Sequence, residues 1–389
     1  MTQKSKFFIL LLTISIVFFS CKTEHQAIHV ISLNKAQGIR NYSNLYALPK
    51  TVIRVNVSFT QTIYKQGPYS KYAKSMLGID QIVSRDFVGW SIDKVDFKTF
   101  AVPDTNHIYL IEQVDGTNNI GLSLTSCGLV NSVNADWKDS RSLLTSDNKK
   151  YTSTLNFNKE EELLNKTNVI DFNDVPILKD VASKKTTYEK AKALAEKIYT
   201  LREDRAAILV GDGYSEAMPD GLALEKIVET LNDLEQRYLS MFIGKKQIRQ
   251  YSYSFDFTPD SPKKITQSIL FRFSASRGIV SFNDVSGLPV IIEINSFQNI
   301  NRITKFNESQ NRIKRIAEID EKPHGLYYRI PEMGLIKLLI DEKVIAQKKL
   351  MIAQFGEVHP LSPSYLDGNY SIEFYPELGS IKQISKIKK

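Results

Sequence analysis

Two cysteines, five histidines and two tryptophans in 389 residues narrow the chemistry before any motif is sought. Cys21 and Cys127 are the sole thiols. A disulfide framework is therefore excluded, and stability must come from a core, which a chain of this length can build. No H-E-x-x-H, C-x-x-C, G-x-S-x-G or G-x-x-x-x-G-K-[ST] occurs, and no G-x-G-x-x-G follows a strand pattern. The usual signatures of zinc peptidases, thiol redox centres, serine hydrolases and nucleotide loops are thus missing, and neither cofactor nor metal is expected. An excess of one charge is lacking too. The formal net charge of +8 drops by two, to +6, once Lys4 and Lys6 are set aside, and no basic run carries interleaved aromatics. Nucleic acid is not the partner this balance predicts.

What is present begins at the N-terminus. Lys4 and Lys6 precede an almost purely apolar run from Phe7 to Phe19, too short and wrongly flanked for a spanning helix. Residues 1–20 read as a signal peptide. The run ends in Phe18-Phe19-Ser20-Cys21, which resembles a bacterial lipobox with a small residue before the cysteine. Phe18 stands where leucine is usual, a departure that fits the relaxed lipoboxes of Bacteroidota. The resemblance implies cleavage before Cys21 and lipidation of that residue. The alternative is an ordinary secretory signal with an incidental cysteine. Lys22, in place of the aspartate of an inner-membrane retention signal, favours a lipid anchor in the outer membrane, outside the cytoplasm, with the leaflet left open. Residues 21–47 are polar with little periodicity and read as a tether.

Two amphipathic helices dominate the middle of the chain, within residues 181–246. Thr186 and Glu189 have the spacing of a capping box, followed by an apolar stripe of Ala191, Leu194, Ala195, Ile198, Leu201 and Ile208. Gly211 and Gly213 end it. A second stripe, Leu224, Ile227, Val228, Leu231, Leu234, Tyr238, Met241 and Phe242, runs from an Asp220 cap to Gly244.

On either side the period is two. Ile53, Val55, Val57 and Phe59 alternate with Arg54, Asn56, Ser58 and Thr60, and further strands are expected at 88–100, 107–113, 122–130 and 151–157. After the helices, Tyr251, Tyr253, Phe255 and Phe257 share one face. More strands follow at 267–275, 290–294, 335–340, 344–351, 371–375 and from 381. A hairpin with the three-residue loop Asp341-Glu342-Lys343 joins two of them. The expected class is α+β, mainly β. Two β-rich, sandwich-like parts, residues 48–180 and 247–389, flank a central two-helix hairpin.

LPKT (48–51), YKQGPYSKYAKSMLG (64–78), AEKIYTLREDRAAILVGD (195–212) and MPDGLALEKIVETLNDLEQRYLSMFIGKK (218–246) resemble a family of Bacteroidota lipoproteins. FDFTP (255–259), GLYYRIPE (325–332) and AQFGEVHPL (353–361) extend the likeness over nearly all of the mature chain. The family is catalogued as a domain of unknown function, number forty-eight thirty-one. The resemblance implies a lipoprotein of the outer membrane and brings no activity, cofactor or catalytic residue.

Candidate reactive residues are scattered. His25 and His29 fall in the tether, while His107, His324 and His359 each stand alone, His359 being the best placed as a base. Asp212, Glu216 and Asp220 lack the spacing of a calcium loop and read as caps and turns. Asp171 and Asp174 have no fixed geometry, and Cys127 reads as a buried, inert thiol. Aromatics at alternate strand positions read as core, with exposure of Tyr64, Tyr69, Tyr72 or Tyr365 as the sign of a glycan platform. The expected function is a non-enzymatic, lipid-anchored envelope module that binds or scaffolds, with a protein or glycan as partner. The alternative is an envelope glycan or peptide hydrolase whose site is assembled only in the fold. An assembly factor for outer-membrane machinery is a third, weaker reading.

Overall fold

Two long antiparallel ribbons carry the architecture. The computed structural model describes residues 28–35, 44–113, 120–135, 170–176, 179–183, 186–211, 221–260, 265–297, 325–366 and 368–387. The first ribbon pairs β2 (Asn44–Lys65) with β3 (Phe87–Gln113), and the second pairs β10 (Tyr327–Ile340) with β11 (Lys343–Pro360). β1 (Ile28–Ser32) and β6 (Lys245–Phe257) complete a first sheet in the order β1-β3-β2-β6. A second sheet adds β7 (Ile265–Ser274), β8 (Gly278–Val280) and β9 (Leu288–Ser296), ordered β11-β10-β9-β7-β8. The third, β13-β12-β5-β4, is built from β4 (Leu122–Leu124), β5 (Val130–Val133), β12 (Tyr370–Tyr375) and β13 (Ser380–Lys386).

The period-two pattern decides which faces meet. Ile53, Val55, Val57 and Phe59 of β2 point at Phe271, Ile292, Ile336, Leu338 and Phe355 of the second sheet, and this is the larger core. The far end of the first ribbon, through Tyr46, Leu48, Tyr109 and Ile111, packs with Leu326, Val358, Ile372 and Phe374 in a core shared with the third sheet. The protein is thus α+β and mainly β, with two sandwich-like parts. Because β2 pairs with β6, and β5 with β12, residues 48–180 and 247–389 share sheets, and both stretches contribute to both sandwiches.

Each ribbon carries a large bulge at the level where the two cores meet. In the first, Asp104 to His107 of β3 face the single residue Leu48 between the pairs Pro49↔Pro103 and Ala47↔Ile108. In the second, Ala353 to Gly356 of β11 face Pro331 alone between Glu332↔Ile352 and Ile330↔Glu357. The extra residues re-aim the strands so that one ribbon can serve two cores. Gln354 fastens the ribbons here. Its Oε1 accepts from Thr51 N at 2.8 Å, and its Nε2 donates to the carbonyls of Thr51 (2.9 Å) and Pro259 (2.8 Å).

The helices form a third core beyond the Lys65 and Lys245 end of the first sheet. α1 (Ala73–Leu77) and α2 (Lys179–Ser183) are short, while α3 (Thr187–Val210) and α4 (Gly221–Ile243) are the expected pair. Thr186 and Glu189 make both bonds of the capping box. Ala191, Leu194, Ile198, Tyr238 and Phe242 pack with Tyr69, Ala73 and Leu77.

Four expectations change. Residues 28–32, read as tether, are strand β1, because Val30 is buried and its row pairs with Tyr109–Gln113. The strands at 88–100 and 107–113 are one, since the bulge interrupts the period without ending the pairing. The span 122–130 is two strands around a turn at Gly128 (φ 78). The β10–β11 loop has two residues rather than three: Asp341 and Glu342 take positive φ of 49° and 62°, the handedness that follows strand twist, and Lys343 already pairs with Ile340. The strand expected at 151–157 lies outside the described residues.

Candidate functional site

The bulge of β3 holds a polar cluster. Asp104 is buried, and its Oδ2 sits 2.8 Å from His107 Nδ1 and in a short ion pair with Arg329 Nη2 of β10. An ionised carboxylate only accepts, so Nδ1 carries the proton and donates to Asp104, leaving Nε2 as the ring's outer atom. The 3.2 Å approach of Arg329 Nη2 to Nδ1 is then a contact of two donors sharing one acceptor. Arg329 is 2% exposed, donates from Nη1 to Ala353 O at 3.5 Å, and keeps its Nε without a partner. Burial pushes the Asp104 carboxyl up, but the His107 bond and the charges of His107 and Arg329 outweigh it and hold it at about 2. Burial pulls the Arg329 guanidinium down against the pull of Asp104.

Beside the cluster, three tyrosines from three strands stack. Tyr109 lies 5.3 Å from Tyr46 and 4.6 Å from Tyr327, ring centre to ring centre. Tyr46 OH accepts from Tyr327 N at 2.8 Å, which pins the start of β10. Burial raises the hydroxyls of all three. The arrangement ties β2, β3 and β10 together where both cores end. Two small apolar recesses of the core shared with the third sheet, one at Ile120, Leu122 and Leu366 and one at Pro49, Phe374 and Pro376, are lined without His107.

The other sequence candidates disperse. His107 is not alone, and nor is His359, whose Nε2 is 2.8 Å from Glu357 two residues back on β11. His359 stands opposite Tyr328, the neighbour of Arg329, so strand alternation turns it to the other face of the ribbon, away from the His107 cluster. Asp171 accepts from Asn173 N at 3.1 Å, and Asp174 is held down by a hydrogen bond from Lys245, so this acid pair braces the base of the helices. Tyr69 is buried, Tyr72 and Tyr365 pack half-buried, and Tyr64 lies half-buried on an open sheet face. Cys21, His25, His324, Asp212, Glu216 and Asp220 lie outside the described residues, and of His29 only the backbone is described. Among the described residues no group of three or more His, Cys, Asp or Glu could hold a metal ion, and no helix is long and apolar enough to cross a membrane.

Cys127 is a correction. It is exposed, not buried. Gly128 N donates to Thr125 O at 2.9 Å and Leu129 N to Thr125 Oγ1 at 3.1 Å, and the left-handed Gly128 closes a turn that points the thiol outward. With Cys21 acylated or replaced by serine, the folded protein is expected to take up one equivalent of a maleimide without denaturant. A thiol that reacts only after unfolding would contradict this placement.

The helical pair offers a different kind of surface. The buried residues of α3 end at Leu201, and those of α4 begin at Glu235. Past Leu201 the helices touch each other, with Arg202 and Arg205 both bonded to the buried Glu235, and α3 runs on for roughly 14 Å at 1.5 Å per residue. At its end Leu209, Val210 and Leu222 are 58%, 81% and 80% exposed. Leu209 and Val210 close α3, and Leu222 opens α4.

No curated protein and no solved structure matches the chain. One family model does, described as Domain of unknown function (DUF4831), over residues 42–382. That span takes in both ribbons, the helical pair and almost all of the third sheet, and the chain belongs to this family.

Proposed function

We propose that this is a lipid-anchored protein of the cell envelope whose work is binding or scaffolding rather than catalysis. The leader would be cut before Cys21 and the new N-terminus acylated, mooring the folded part in the outer membrane. The observation that carries the binding role is the helical pair, which projects from the body and ends in Leu209, Val210 and Leu222. An apolar tip on a stiff arm is a recurrent way to fill a partner's groove. The test is capture of partners by the native lipoprotein from its own solubilised membrane, repeated with Val210→Asp and Leu222→Asp together. These exposed sites should leave the melting temperature within a few degrees, while the captured set shrinks. An unchanged set sinks the arm as the contact element. Mass spectrometry of the same sample must also find diacyl or triacyl Cys21; residues 1–20 still attached would remove the anchor.

One observation favours a second reading, an envelope glycan or peptide hydrolase. The fold joins His107 to Asp104 and Arg329, a base oriented by a carboxylate. Loss of an envelope-hydrolysing activity in His107→Gln, with stability kept, would support it.

A further inference from the structure

The second sheet is apolar on both sides. Its inner face fills the larger core through Phe271, Ile292, Ile336 and Leu338. A wet antiparallel sheet alternates apolar with polar residues. Val290–Ile294 and Leu335–Ile340 are instead hydrophobic runs, each interrupted by one charge, the pattern of strands covered on both faces. The registers align Val344, Leu339, Ile291 and Ile269 in one outer row across β11, β10, β9 and β7. Further along, Met333 stands opposite Met351, and Phe297 N donates to Met333 O at 3.3 Å. Ile265, Phe297 and Met333 are exposed, and among the described residues no helix or strand packs on this side.

The charges of this face lie in a set order. A polar row beside the apolar one runs Gln347, Lys337, Glu293 and Gln267. Lys337 Nζ is 3.0 Å from Glu293 Oε1, and Gln267 Nε2 donates to Glu293 Oε2 at 2.7 Å. In the next row Lys349 stands at the edge, its Nζ 5.1 Å from the centre of the Phe297 ring, followed by Leu335, Asn295 and Ile265. Arg272, at the loop end, is engaged by the carbonyls of Phe282 and Gly287. This order is self-complementary. A two-fold axis along the strands, between β10 and β9, reverses the strand order and keeps the level along each strand. It sets Lys337 over Glu293 of a second copy and Glu293 over its Lys337, with Gln347 over Gln267 and Leu339 over Ile291. An axis across the strands would stack Lys337 on Lys337.

From this we infer that two copies of this chain pack these faces together in an isologous dimer. Four strands about 4.8 Å apart, each contributing about seven residues, cover roughly 20 Å by 23 Å. The pair therefore buries on the order of 1,000 Å², the size at which a specific interface begins. Face-to-face sheets cross at about −30°, and the rows of Leu339, Ile291 and Met333 supply the interdigitating layer. Lys337 and Glu293 leave water together and meet a countercharge on each side, the condition under which buried charge is tolerated. Asn295 Oδ1, buried without a partner in its own chain, comes within reach of the second copy's Lys349. The inference uses neither the anchor nor the helical pair, so it can fail separately from the proposed function.

The experiment is sedimentation equilibrium of the full mature chain with Cys21→Ser, which needs no detergent. A dimer is expected at micromolar concentration. Met333→Glu, at an exposed site, should weaken it by about tenfold or more. So should Lys337→Glu and Glu293→Lys, each of which sets like charges over one another across the axis. Mixing these two single variants should restore association as a heterodimer, because each brings the charge that the other lacks. Thermal melts of the separate variants confirm that they are folded. A monomer at every concentration overturns the inference, and a melting temperature lowered by Met333→Glu would then mark the face as covered from within the chain. A dimer untouched by the three substitutions overturns it too. So does a dimer lost in both charge variants and not recovered by mixing them.

Discussion

Gly356→Ala is expected to leave little or no folded protein. A β-carbon built at Gly356 would stand 1.6 Å from Ile330 O and 2.5 Å from Ile330 C, with Pro331 Cα at 2.8 Å. All three are backbone atoms, so no side chain can swing aside. The site lies within the bulge of β11, between the buried Phe355 and Val358, and Ile330 is the last paired residue on the opposing strand before that bulge. Relief therefore requires the two strands of the ribbon to part where both cores depend on them. Ordinary overpacking costs about 1–3 kcal/mol; a clash confined to main chain in a doubly loaded strand belongs above that, where marginal domains no longer fold. Gly78→Ala is the control. Gly78 has a φ of +67 with nothing within 4 Å of the added carbon, so it should cost only about 1–2 kcal/mol of backbone strain. Urea denaturation of both variants checks the pair: equal losses would show that the close approach at Gly356 does not exist.

The same motif shows what a sequence can and cannot disclose. Local rules worked where their causes are local. Thr186 and Glu189 announced the start of α3, and the alternation from Ile53 to Phe59 announced which side of β2 is buried. The AQFGEV segment stood out only as part of a family likeness. The structure supplies its reasons: Gln354 ties two ribbons, Phe355 fills the larger core, and Gly356 admits a crossing backbone. Each reason involves a partner on another strand, from Ile330 about 26 residues away to Thr51 some 303 away, and no period or propensity encodes that. The bulges fail for a related cause. Four residues against one look like a gap between strands, which is why β3 reads as two.

The polar cluster at the waist, the level where the two cores meet, leaves faint traces in the sequence. Arg329 shares its strand parity with Tyr327, so a strand reading places a cation on the buried side and demands an anion there. Asp104 sits in the gap between two strand candidates, three residues from a histidine. Joining them needs the pairing of β3 with β2 and the packing of β10 above, neither of which is local. The apolar neighbours of Cys127 point to burial, but the left-handed turn at Gly128 decides where the thiol points.

That cluster also carries the second large effect. Asp104→Leu alone is expected to cost about 3–5 kcal/mol, since it strands the Arg329 charge in a core where its Nε already lacks a partner. Arg329→Met alone should cost less, because Asp104 keeps its bonds from His107 Nδ1 and Asn106 N. The double variant should recover much of either loss, because two apolar side chains of similar size need no countercharge. Urea midpoints of the three variants form a double-mutant cycle; simple addition of the two losses would mean that the ion pair couples nothing. The pH dependence gives an independent check with a definite sign. The folded carboxyl lies at about 2 against an ordinary 3.8. A depressed carboxylate stabilises the fold above its unfolded value and loses that contribution as pH falls through the folded one. Stability of roughly 2 kcal/mol should therefore disappear between about pH 4 and pH 2. In the double variant that part of the acid slope should vanish, while the slope from Asp174 and Glu235, lowered by cationic partners, and Glu293, lowered by hydrogen bonds from Gln267 and Lys337, persists. An acid slope identical in wild type and double variant would mean that Asp104 titrates like a free carboxylate, and the buried pair at the waist would have to be abandoned.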